Sequence, residues 1–229
     1  MSTRKHHSKQ TPWFIGSIAI ILLAACSAQK PAPQEATEPF NFKRLLLVPM
    51  VDMARVYGEN VTVQCRLSGN IVTTGQVREG AAEILTDRLE TLLKQKKDFE
   101  LIPVSQAVGA LSDILSGEKT ELPERELLVK VGRTLDADAI MAGKVYRFVE
   151  RDGSNYSVKL PASVGFDVNL IRVLDSRIMW TGHYDETQQS LFENIYRWNT
   201  FLKRGGRWIT AEEMAFDGLD HILKKFPTP

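Results

Sequence analysis

The sequence predicts an α/β fold, with α+β as the open alternative: one domain in which helices pack on a mixed sheet. Three features point there. The run from Lys43 to Met53 is apolar almost throughout, which suits a central strand covered on both faces. Residues 77–97 repeat apolar side chains every three or four positions, the period of an amphipathic helix. Residues 162–174 alternate, with Val164, Phe166, Val168 and Leu170 on one side, the period of a strand.

Upstream of this domain the chain carries an export signal. Arg4, Lys5 and Lys9 precede an apolar run from Trp13 to Ala25 that ends in Leu23-Ala24-Ala25-Cys26. The run matches the roughly 7–15 residues of a secretory h-region and is short of the roughly 20 needed to span hydrocarbon. Small residues at its exit give a signal peptidase access to the backbone. The four-residue pattern resembles a bacterial lipobox, which implies a diacylglycerol thioether and an N-acyl chain on Cys26. Residues 1–25 are therefore expected to be a lipoprotein signal peptide, and residues 26–42 the lipidated cysteine with a polar, Pro-rich tether. Ser27, rather than Asp, follows the cysteine, as in lipoproteins sorted to the outer membrane. The globular domain is expected over residues 43–229.

Removing Arg4, Lys5 and Lys9 turns the net charge from +1 to −2, which gives no reason to expect nucleic-acid binding. With Cys26 lipidated, Cys65 has no intrachain partner, so no disulfide framework exists; it reads as a buried small hydrophobe or an interchain link.

Within the domain, Pro49 should end or bulge the first strand, because it has no N–H to give a ladder. Residues 54–75 read as an excursion: a turn at Tyr57-Gly58-Glu59-Asn60, an alternating run from Val61, a turn at Ser68-Gly69-Asn70, then Ile71 onward, which together make a β-hairpin. In the 77–97 helix, Ala81, Leu85, Leu89 and Leu92 form the apolar stripe, and Lys94, Lys96 and Lys97 crowd its carbonyl end. A second strand follows at 99–104. Ser105 is placed to cap a helix carrying Val108, Leu111 and Leu115, and Gly117 to end it. Pro123 starts another helix with Leu127, Leu128, Val131 and Leu135 inward. Residues 136–149 lead into a strand and a turn at Arg151-Asp152-Gly153. After the long strand, Asp175-Ser176-Arg177 turns the chain into Ile178-Met179-Trp180-Thr181.

The passages Ala137-Asp138-x-Ile140-x-x-Gly143 and Val168-x-Leu170, followed by Asp175 and Trp180, resemble those of the CsgG/LpoB/TolB-N-terminal-like group of envelope lipoproteins, over roughly residues 43–182. That resemblance implies a periplasmic binding or accessory module, with a ring-forming secretion subunit as the alternative. A membrane-inserted ring needs hairpin strands of about 9–11 outward-alternating residues. Residues 149–163 are too short and polar for one, and residues 187–204 read at least as well as a helix.

In the tail, Ser190-x-x-Glu193 and Thr210-x-x-Glu213 each have capping-box spacing. The aromatic stretch between and beyond them packs over the sheet or, through Tyr196, Trp198, Arg204, Arg207 and Trp208, touches a partner or a membrane interface. Asp185 to Gln189 reads as an exposed polar loop. No Walker loop survives inspection, since Ala81-Ala82 stands where Lys-Ser/Thr is needed after Gly75 and Gly80, and no nucleophile elbow exists. His183 with Asp185 is the one pairing of base-catalytic type; His221 reads as a surface histidine, and strand ends and helix caps account for Asp52, Asp136, Asp138 and Asp167. The sequence thus points to a non-catalytic, outer-membrane-anchored protein facing the periplasm, with no cofactor and no metal. It binds an unidentified envelope protein and leaves homo-oligomerisation open; an envelope hydrolase is the third reading.

Overall fold

The computed structural model describes residues 41–117, 122–154, 158–189 and 207–227. The chain divides into two compact units, Met1–Thr37 and Glu38–Pro229, and every described residue belongs to the second. The first strand, β1 (Arg44–Leu47), stops before Pro49, and the chain re-enters the sheet as β2 (Val51–Asp52). Asp52 then caps a five-residue helix, α1 (Met53–Tyr57), by accepting from Arg55 N, and Gly58 at φ 89° ends it. This helix was not foreseen in the apolar run. The excursion is a hairpin as expected, β3 (Thr62–Gln64) against β4 (Ile71–Thr73).

The next helix, α2 (Ala81–Lys94), begins four residues later than its periodicity suggests. The reason is tertiary: residues 75–78 pair with the strand β6 (Ala139–Val149), with Gly75 N donating to Tyr146 O and Phe148 N to Gln76 O. After β5 (Glu100–Ile102), helix α3 spans Val104–Gly117, so Ser105 lies inside it and caps nothing. Of the anticipated inward residues only Leu111 packs on the core. Ala107 and Ala110 face inward, while Val108 and Leu115 are 49% and 60% exposed. Two small side chains let the helix approach the sheet closely, and that contact outweighs the larger apolar residues. Helix α4 (Glu124–Thr134) follows Pro123 and buries Leu128, Val129, Val131 and Gly132.

Beyond β6, residues read as a turn form a small two-stranded ladder, β7 (Asp152–Gly153) with β8 (Val158–Leu160). The long strand is β9 (Ser163–Arg172), and β10 (Ile178–Thr187) runs six residues past the expected Thr181. The segment 185–187 is therefore strand, not loop. The last helix, α5 (Ala211–Leu223), carries the anticipated capping box, with Thr210 and Glu213 each accepting from the other's backbone N–H. The earlier capping motif at Ser190 lies outside the described residues.

The six-stranded sheet has the order β10-β9-β6-β1-β5, with β2 also on β6. β1, β5 and β6 are parallel, while β9 and β10 run antiparallel to their neighbours, so the sheet is mixed as the α/β reading requires. One face packs Leu45, Leu47, Met141, Val164, Phe166, Val168 and Leu170 against α2 and α5. The other packs Leu46, Val48, Ile140, Tyr146 and Ile171 against α3, α4 and the β3–β4 hairpin. Each fully buried aliphatic or aromatic side chain contributes about 1.5–3 kcal/mol.

The residues that carry the lipoprotein resemblance have packing roles. Asp138 accepts from the backbone N–H groups of Lys43 and Arg44 and so fixes the start of β1. A Cβ on Gly143 would stand 2.6 Å from Met50, and one on Gly182 would stand 2.6 Å from the Trp180 ring. Asp175 ties the β9–β10 turn to Arg172 and to Arg177 N.

Candidate functional site

Polar side chains interrupt the hairpin-covered face of the sheet along β6, β9 and β10. The register places Lys144, Asp167 and His183 in one row across these three strands. A β-bulge at 145–147 then puts Tyr146 and Arg147 on the same side.

Asp167 is the centre of this region. It lies mid-strand and fully buried, not at a strand end as its sequence context suggests. Its carboxylate accepts from Ser68 Oγ at 2.6 Å, Tyr146 Oη at 3.2 Å and Asn70 Nδ2 at 3.4 Å. Ser68 and Asn70 arrive from the turn of the hairpin, which closes through Cys65 N to Asn70 O and Gly69 N to Cys65 O. Cys65 itself is a free, buried thiol whose Sγ accepts from Ser68 N. Burial pushes the Tyr146 phenol far above its ordinary range, and the adjacent carboxylate adds to the shift, so the hydroxyl keeps its proton and donates it to Asp167.

The fourth donor is His183, whose Nδ1 stands 2.5 Å from Asp167 Oδ1. Sequence spacing pairs this histidine with Asp185. Instead Asp185 takes Arg147 Nη2 at 2.6 Å, while Arg147 Nε donates to Ser163 Oγ. Against a carboxylate, Nδ1 is the donor, which leaves Nε2 as the second hydrogen-bonding atom of the ring. The His183 side chain is 40% exposed. It is a solvent-facing imidazole backed by a buried carboxylate.

Two further features flank the pair. Lys144 is 3% exposed and holds Glu124 Oε2 of α4 at 2.7 Å. Asn169, fully buried, accepts from Thr181 Oγ1 at 2.9 Å, and its Nδ2 has no partner among the described residues. A buried amide donor left unmatched costs about 1–3 kcal/mol.

Ser68 gives its hydroxyl proton to Asp167 and not to His183, so Ser68 is not aligned with the imidazole as a nucleophile. Among the described residues, no group of three or more His, Cys, Asp or Glu side chains is placed to hold a metal.

No family model and no curated protein matches this sequence. Solved structures similar to it include three bacterial proteins. The LpoB C-terminal domain from Salmonella enterica is 16% identical, with 64% of this chain and 83% of that chain covered and a TM-score of 0.38. The PelC dodecamer from Paraburkholderia phytofirmans is 12% identical, covering 82% and 89%, with a TM-score of 0.44. Lipoprotein GNA1162 from Neisseria meningitidis is 11% identical, covering 71% and 92%, at 0.37. At such identities and TM-scores nothing about function passes from them to this chain.

The sites anticipated in the sequence fall mostly elsewhere. Leu23, Ala24, Ala25, Cys26 and Ser27 lie outside the described residues, as do Tyr196, Trp198 and Arg204. Arg207 and Trp208 are half-buried and committed to the start of α5: Arg207 pairs with Glu213 at 2.7 Å, and the Trp208 carbonyl accepts from Arg151. The residues missed by sequence reading are Ser68, Asn70 and Tyr146. Their only signal was polarity at inward positions of the hairpin and of β6.

Proposed function

We propose that this chain is a lipid-anchored protein of the outer membrane that faces the periplasm and works by binding another envelope protein. The observation that carries the reading is Leu23-Ala24-Ala25-Cys26 at the end of a basic-then-apolar leader, followed by a polar tether and one α/β domain. The polar strip along β9 and β10 supports binding over catalysis. Its one fully buried carboxylate is saturated by four side chains, while the exposed His183 ring keeps Nε2 for a partner's backbone. The segment with Tyr196, Trp198, Arg204, Arg207 and Trp208 is the second proposed partner contact.

Whole-cell expression with intact-mass analysis tests the anchor. The purified protein is expected to begin at Cys26 with acyl chains attached, and Cys26→Ala to leave the membrane fraction. A chain that starts at Met1 without acyl groups would overturn the reading. Crosslinking from a photoreactive residue at position 183 tests the partner: one dominant envelope protein is expected, and only self-crosslinks would favour a ring of identical subunits.

A further inference from the structure

The register fixes which residues share the end of the sheet where the tether enters. β1, β5 and β6 all start there, because Arg44 pairs with Glu100 and Leu45 with Ala139. β9 ends and β10 begins there, because Ala139 lies opposite Arg172. Helices α2, α4 and α5 also finish at this end. Phe42, Phe99 and Phe226 stack at ring separations of 5.3–6.2 Å and lock the last residues of α5 against the start of β1.

Charge is distributed unevenly about this end. Lys43, Lys97, Arg133, Lys224 and Lys225 are exposed, and Lys96 lies over the Phe226 ring; none has a carboxylate partner among the described residues. The local carboxylates are already committed. Glu100 and Asp136 take Arg44, Asp175 takes Arg172, and Asp138 takes two backbone N–H groups, leaving Asp98. A helix carbonyl end explains one cation at each terminus. It does not explain adjacent pairs at two of them. At the opposite end of the sheet charge is matched: Glu150, Glu212 and Glu213 round the start of α5 pair with Arg78 and Arg207.

Leu174 stands in the β9–β10 turn at the basic end and is 83% exposed, the most exposed large apolar side chain among those described. Its turn is rigid: Val173 beside it is buried, and Arg172 holds the Asp175 carboxyl at about 2, well below its ordinary value. A fixed apolar tip among unpaired cations is the composition of a surface that sits at a lipid interface.

We propose that this basic end is a docking surface for anionic phospholipid headgroups, with Leu174 entering the headgroup layer. The inference rests on the anchor at Cys26, which delivers this end first. The seventeen residues 26–42 span at most roughly 60 Å. The tethered domain then lies against the bilayer with its charge-matched far end and the edge strand β10 accessible from the periplasm.

The test uses the full acylated protein mixed with vesicles of phosphatidylcholine, with or without phosphatidylglycerol, followed by flotation and acetylation with a water-soluble reagent read by peptide mass spectrometry. Expected is several-fold slower labelling of Lys43, Lys96, Lys97, Lys224 and Lys225 on phosphatidylglycerol vesicles than on phosphatidylcholine alone. Lys159 in β8 should be unchanged. The difference should vanish in about 0.5 M NaCl, where the Debye length is about 4 Å. Changing Lys96, Lys97, Lys224 and Lys225 to Glu should also remove it at the remaining reporter, Lys43, while flotation persists. Flotation on both vesicles with equal labelling would keep the anchor and overturn the docking surface. Flotation only with phosphatidylglycerol would support docking and overturn the anchor, and flotation on neither would overturn both.

Discussion

His183 Nδ1 and Asp167 Oδ1 meet directly across β10 and β9, 2.5 Å apart, with the carboxylate fully buried and the imidazole partly in solvent. The pair joins the outermost strand of the described sheet to a network that also fastens the hairpin, so its loss is felt on both sides.

Replacing Asp167 should be among the most damaging single changes. Asp167→Ala leaves four donors facing each other in a water-poor site, and each buried donor without an acceptor costs about 1–3 kcal/mol. Urea unfolding of the variant should give an unfolding free energy lower by about 3 kcal/mol or more, whereas His183→Gln, at a partly exposed position, should cost about 1 kcal/mol. Equal costs would mean that the carboxylate does not organise the network.

Hairpin docking can be loosened without unfolding the domain. Ser68→Ala with Asn70→Ala removes two donors to Asp167 but keeps Val63, Leu67 and Val72 in the core. Amide hydrogen exchange at Val63 and Val72 should accelerate while Met141 and Val168 stay protected. Uniform acceleration would show instead that the hairpin and the sheet open together.

Acid should weaken the start of α5. Glu213 is held below its ordinary value of 4.5 first by the Thr210 N–H and then by Arg207. A depressed folded value contributes stability that is present above the unfolded pKa and lost as pH falls through the folded one. Glu213→Gln should therefore lower Tm at neutral pH, by no more than the equivalent of about 1 kcal/mol given its exposure to solvent. Its Tm should converge with that of the parent as pH falls below 4.5 and through the depressed folded value. Parallel Tm curves across the whole pH range would count against the capping role.

Gly143 should tolerate no side chain while Met50 stays in place. A Cβ there meets Met50 Cγ at 2.6 Å, and overpacking of this kind costs about 1–3 kcal/mol. Gly143→Ala should be partly rescued by Met50→Ala in thermal unfolding. Additive losses would show that the two residues do not contact.

Local patterns carried most of the fold. The alternation of Val164, Phe166, Val168 and Leu170 located β9 and its helix-facing side, and Thr210 with Glu213 located the start of α5. What stayed hidden depends on contacts distant in sequence. Ser68 and Asp167 are 99 positions apart, and nothing near either announces the other. β10 looked four residues long because Asp185, Glu186 and Thr187 are polar, yet they pair along β9 to Ser163. α3 was given two wrong inward residues because Val108 and Leu115 outrank Ala107 and Ala110 in hydrophobicity but not in how closely they let backbones approach.

The extra residue that β6 carries opposite Phe166 and Gly165 governs the last third of that strand. It turns Phe148 back to the helix side, beside Val164, after Tyr146 and Arg147 have both faced the hairpin. Deleting one residue there would send the phenyl ring toward Asp167's neighbours and the guanidinium into the oily layer. This stretch can accept exchanges of side chain far more readily than any change in length.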